Sequence, residues 1–140
     1  MVLLMVGCAT EFDDSGIKAR KSADAKNQFN HRIACYRIGF ALIRRLQPDA
    51  KLILATSTVL LTSRDAAPGT LDLKKNAFVL RRNEVVRKLA AEFALPIDDL
   101  FGAVVCNPEY VQPDGVHYGE AGRNRLAKSV KESIEAALAE

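Results

Sequence analysis

The sequence predicts an α/β fold in which parallel strands are joined by crossover helices, and three observations lead there. Three short apolar runs, MVLLMV, KLILAT and Leu95-Pro96-Ile97, are too brief for helices. Longer segments with apolar residues three and four apart alternate with them, giving the order strand, helix, strand, helix, strand, helix. The 140 residues, 49% hydrophobic and 26% charged, suit one domain, residues 1–140, that buries a real core.

The chain opens MVLLMVGCAT. A continuous apolar run ending in Gly reads as a strand buried on both faces. The rival is a secretory leader in which Met5-Val6-Gly7-Cys8 imitates a lipoprotein cleavage box. A leader needs a basic start and an apolar core of roughly 7–15 residues, and no Lys or Arg precedes Cys8. Glu11 to Lys26, with Asp13, Asp14, Ser15 and Gly16, predicts a loop over the sheet edge. From Asn27 the apolar residues Phe29, Ile33, Tyr36, Phe40 and Ile43 form one helical stripe, with Arg32, Arg37, Arg44 and Arg45 off it and Pro48 as the stop. Lys51 to Thr56 is the second buried strand, followed by a polar loop through Thr70.

The second helix is expected from Lys74 to Phe93, with Val85, Val86, Leu89 and Phe93 inward. Leu95-Pro96-Ile97 begins the third, short strand, and Asp98-Asp99 sits at its end, where a following helix wants an N-cap. The last helix runs from Gly119 to Leu138, with Leu126, Val130, Ile134 and Leu138 toward the sheet. Three strands are few against the usual ~4–6. The first strand has no polar face, so it expects neighbours on both sides, and the chain reads as the C-terminal part of a larger α/β domain. If no such neighbour is supplied, the exposed edge predicts a homo-oligomer through the first strand.

A net charge of +3 lacks the clustered excess of a nucleic-acid binder. No run approaches the ~20 apolar residues of a membrane span, so neither partner is expected. Cys8, Cys35 and Cys106 are odd in number and scattered, which argues for reduced thiols without fixing the compartment. Cys and His form no closely spaced pairs, so no metal and no cofactor is expected.

The most informative stretch is Asp114-Gly115-Val116-His117-Tyr118-Gly119-Glu120-Ala121-Gly122. A carboxylate three residues before a His, on a turn opened by Pro113 and Gly115, can fold back to accept the imidazole Nδ1 proton and leave Nε2 free as a general base. Gly122 would let the new helix lie close to its neighbour. A surface turn with a solvated His explains the same residues. His31 lies off the apolar stripe of its helix and reads as a surface residue, and Cys8 beside an apolar strand reads as a small buried hydrophobe rather than a nucleophile.

With KLILATSTVL, RRNEVVRKLAAEFALPIDDLF and PDGVHYGEAGRNRLA around it, this stretch resembles the SGNH hydrolases, the GDSL-like serine esterases and acylhydrolases. The resemblance runs from about Tyr36 onward and includes the helix carrying Asn83. It implies a three-layer α/β/α, flavodoxin-like parallel sheet, here reduced to its last three strands. It also implies a catalytic pair at Asp114 and His117, and a small ester substrate, either an acylated carbohydrate or a short acyl ester. The family's G-D-S nucleophile segment is absent from the sequence. Many members end the corresponding first strand in G-x-N-D, whose Asn helps hold the oxyanion; this chain reads Gly7-Cys8-Ala9-Thr10, leaving Gly7 and Ala9 as the oxyanion and substrate-side candidates. The chain is therefore expected to be a hydrolase fragment, weak or inactive alone. A non-catalytic module derived from the same fold is the alternative. A nucleotide-binding α/β domain is a third reading, although no G-x-G-x-x-G follows the first strand.

Overall fold

A computed structural model of the protein describes residues 2–6, 22–61 and 71–139. In chain order the elements are β1 (Val2–Val6), α1 (Ser22–Leu46), β2 (Lys51–Ala55), α2 (Leu73–Phe93), β3 (Ile97–Asp98), α3 (Leu100–Val104), a 3₁₀ turn at Pro108–Tyr110, and α4 (Glu120–Ala139). The chain divides into two compact units, one containing α1 and the other the sheet with α2, α3 and α4.

In the α1 unit, Phe40 is buried, and Ile33, Tyr36 and Ile43 on the same stripe are half-buried. The rings of Tyr36 and Phe40 lie 6.0 Å apart. The helix begins at Ser22, so the expected loop does not extend to Lys26. Ala23, Ala25 and Lys26 are strong helix formers without apolar periodicity, so their pattern does not announce a helix. The rest of that loop lies outside the described residues.

In the second unit the strands run parallel in the order β1-β2-β3. Val2 pairs with Lys51 and Val6 with Ala55 across β1 and β2; Leu54 pairs with Ile97 and Ala55 with Asp98 across β2 and β3. This is an α/β fold with a small parallel sheet. Leu52, Ile53, Leu54 and Ala55 are all buried, as a central strand covered on both faces requires. Val79, Leu89, Leu100 and Val104 share this core. Each such side chain contributes about 1.5–3 kcal/mol through burial.

Two expectations shift. The third strand is Ile97–Asp98 and starts at Ile97 rather than at Leu95, because Pro96 has no N–H to give to a ladder, although its carbonyl accepts from Leu54 N–H at 3.0 Å. Asp98 is thereby drawn into the sheet and is 1% exposed. Ser129 Oγ donates to its Oδ1 at 2.6 Å, and Oδ2 has no partner among the described residues. Asp99 alone takes the capping role, accepting Gly102 N–H at the start of α3. Thr56 Oγ1 donates to the same carboxylate at 2.8 Å and accepts Phe101 N–H at 2.9 Å, joining the end of β2 to α3.

The second shift concerns α4. Gly122 and Ala137 are its buried residues, and Leu126, Val130 and Ile134 are half-buried. Leu138 is 63% exposed, against expectation. One residue is ~100° of helix, and Leu138 lies one step beyond Ala137 on the shielded face.

Candidate active site

Asp114 and His117 sit on a small hairpin between the 3₁₀ turn and α4. Val111 and Tyr118 close it as an antiparallel bridge, and Gln112 N–H donates to the His117 carbonyl at 2.7 Å. At its tip Gly115 N–H returns to the Gln112 carbonyl at 2.9 Å, with Pro113 and Asp114 between them. Pro fixes the backbone entering such a turn. Gly115 has φ 79°, a left-handed conformation that a β-carbon disfavours.

The Asp114 carboxylate organises the tip. Its Oδ1 accepts Val116 N–H and His117 N–H, each at 2.9 Å, and its Oδ2 lies 2.7 Å from His117 Nδ1. The backbone N–H groups of His117 and Val116, then the His117 ring, hold the Asp114 pKa down at about 2. At neutral pH the carboxylate is ionised and can only accept. His117 Nδ1 must therefore carry the shared proton, which leaves Nε2 unprotonated in the neutral ring. The His117 side chain is 77% exposed, so Nε2 faces solvent rather than packed protein.

The hairpin docks on the segment leaving the carboxyl end of β2. Leu61 N–H donates to the Gly115 carbonyl at 2.9 Å, and the Tyr118 hydroxyl donates to the Val59 carbonyl at 3.1 Å. Burial pushes the Tyr118 phenol up, partly offset by a hydrogen bond with Thr58, so it remains a protonated donor at neutral pH.

The docking segment is fixed from its other side by α2. Asn83 is fully buried; its Oδ1 accepts Ser57 N–H at 2.8 Å and its Nδ2 donates to the Ser57 carbonyl at 3.0 Å. Two turns earlier, Asn76 does the same for Leu60, accepting its N–H at 3.0 Å and donating to its carbonyl. These side chains complete backbone pairs beyond the point where the β2–β3 ladder stops, as buried peptide groups demand.

At the start of α4, a β-carbon on Gly122 would lie 2.8 Å from Tyr110 Cβ, the Tyr110 carbonyl oxygen and Tyr118 Cδ1. The close neighbour of this glycine is therefore the hairpin and the 3₁₀ turn before it.

Asp114 and His117 are thus brought together. Gly7 and Ala9, the oxyanion and substrate-side candidates, lie outside the described residues, as does Cys8. His31 lies within α1. Cys35 and Cys106 are exposed cysteines that form no disulfide among the described residues. Sequence reasoning missed Tyr118 and Asn76 as supports. The available signal was a pair of polar residues, Asn76 and Asn83, in phase with Val79, Val86 and Ala90 on an otherwise apolar helix face.

No family model and no curated protein matches the chain. Solved structures do. The esterase domain of the ORF1 protein from the zebrafish ZfL2-1 retrotransposon is similar with a TM-score of 0.57 and 22% identity, over 88% of this chain and 63% of that one. A provisionally assigned platelet activating factor from Streptococcus pneumonia is similar with a TM-score of 0.60 and 19% identity, over 74% of this chain and 50% of that one. A provisionally assigned acylhydrolase from Bacteroides fragilis gives 0.59 and 19%, over 78% and 52%. The likeness is one of fold, and it relates the chain's fold to that of the GDSL-like, or SGNH, hydrolases that the sequence resembles. The chain spans between 50% and 63% of the length of these three structures.

Proposed function

We propose that the chain is part of an SGNH-type ester hydrolase, with His117 as general base and Asp114 as the residue that orients it. The carrying observation is the 2.7 Å contact between Asp114 Oδ2 and His117 Nδ1, with Nε2 open to solvent, in a fold shared with esterases. The sheet then corresponds to the last three strands of a three-layer, flavodoxin-like domain. Because no G-D-S segment occurs in these 140 residues, the nucleophile is a serine that they do not contain.

In this mechanism His117 Nε2 takes the serine hydroxyl proton as Oγ attacks the ester carbonyl. Asp114 stabilises the imidazolium that forms. The proton passes from Nε2 to the departing alkoxide, leaving an acyl-enzyme that water hydrolyses by the same route. The substrate class is a small ester, an acylated carbohydrate or a short acyl chain. Ala9 offers no side-chain donor, and losing one oxyanion donor typically costs about 10²–10³ in rate.

Ala9 and the missing nucleophile segment also favour a second reading, a non-catalytic module built on this fold. Hydrolysis of an activated aryl acetate separates the two. A base acting alone contributes about 10²–10⁴-fold, so the chain should be feeble, and His117→Ala should remove what it does. Joining a segment that carries G-D-S should raise the rate by orders of magnitude. A rate indifferent to His117 in both forms would leave only the non-catalytic module. Strong turnover by the chain alone, blocked by a serine-directed phosphonate, would place the nucleophile among its own serines and overturn the mechanism.

A further inference from the structure

We infer that the Tyr118 hydroxyl is a positioning group that decides which way His117 faces, an inference that rests on the proposed role of His117. The geometry is a lever with a fixed end. Tyr118 is the closing residue of the hairpin, and its hydroxyl reaches inward to the Val59 carbonyl at 3.1 Å. His117, the residue before it in the turn, is 77% exposed, and its Nδ1 meets Asp114 Oδ2 at 2.7 Å.

Several contacts make this anchor firm. Val59 is 1% exposed, and Ser57, two residues before it, and Leu60, one after, have their backbones held by Asn83 and Asn76. The Tyr118 carbonyl accepts from Arg123 Nη1 at 3.0 Å, which ties the same residue to the first turn of α4. The Tyr118 ring edge also lies against Gly122. The hydroxyl therefore connects an exposed turn to a segment of the sheet unit whose backbone is held by side chains of α2. Without it, the hairpin keeps its own internal bonds, Leu61–Gly115 and Arg123–Tyr118, but its closing residue loses its tie to Val59. Asp114 and His117 then meet for only part of the time.

The test uses Tyr118→Phe, which keeps the ring and removes only the donor. The chain contains two histidines, so the His117 signals are assigned by comparison with His117→Ala. Nitrogen-15 NMR of the imidazole reads the tautomer, and amide exchange at Leu61 reads docking, since that N–H is given to Gly115. In the unaltered chain His117 should hold the Nδ1–H form. In Y118F both tautomers should appear, and Leu61 should exchange about tenfold faster, the effect expected from losing one ordinary hydrogen bond. A core variant of matched melting temperature, Leu89→Val, should change neither. The inference is overturned if Y118F matches the unaltered chain, if L89V shows the same change, or if Y118F does not fold. None of these readouts requires ester cleavage, so failure of the proposed function would appear separately, as hydrolysis indifferent to His117.

Discussion

Asp114 does two jobs with one carboxylate, one oxygen gathering backbone N–H groups and the other holding the His117 ring. Asp114→Asn should separate them. The amide keeps an acceptor for the turn but can present N–H to Nδ1, which favours the opposite tautomer and leaves Nε2 protonated. Any esterase rate of a nucleophile-bearing form should fall by about 10⁴-fold, the effect of the wrong tautomer, while the fold persists by circular dichroism. The same residue predicts a pH dependence. Its pKa falls from 3.8 to about 2 on folding, so its stabilising contribution is complete above pH 3.8 and is lost as pH drops through 2. Denaturant titrations of the unaltered chain and D114N should differ at pH 5, where the carboxylate is ionised, and converge as pH falls through 2. This pair was legible in the sequence because its partners are three residues apart and the turn between them is written in Pro113 and Gly115. Tyr118 was not, because its partner, Val59, is distant in sequence and reached through a backbone carbonyl that no side-chain pattern marks.

At the scale of elements, α2 and α4 each carry a residue whose role runs against its usual preference. Asn83 stands on a buried helix face, where an apolar side chain would ordinarily pack. Replacing it by Ala removes its two hydrogen bonds to the Ser57 N–H and C=O, a loss of about 1–3 kcal/mol. Asn83→Ala should therefore lower the denaturation midpoint without changing its slope. Gly122→Ala tests competing terms. Alanine gains up to about 1 kcal/mol in a helix over glycine, but the new β-carbon would press on Tyr110 backbone at 2.8 Å, and overpacking costs about 1–3 kcal/mol. The second term should win, and G122A should lower the melting temperature. Element order was readable because apolar runs and helical periodicities alternate. Boundaries were less so. The start of α1 has helix formers without periodicity, the site of β3 depends on a proline in its path, and the phase of α4 turns on whether Ala137 or Leu138 is shielded.

At the scale of the whole molecule, β1 is an edge of the sheet, with β2 on one side and no strand on the other among the described residues. We propose that a further strand occupies that edge, contributed by a second copy when the chain is alone, since an open ladder of backbone groups invites pairing. Sedimentation of the chain should show mass rising with concentration; a single monomeric species across the range would count against it. The length of the hairpin's tether matters in time as well as in space. Tyr118 and Val59 are 59 residues apart, and Leu61 and Gly115 nearly as far, so both bonds close long stretches of chain. Closing such circuits is entropically slow and is rewarded only after the intervening elements are in place. The hairpin should accordingly dock after the folding transition state. Y118F would then speed unfolding while leaving the refolding rate unchanged, the signature of a contact formed late. The part of the chain that holds Asp114 against His117 would be the last to arrive and the first to leave.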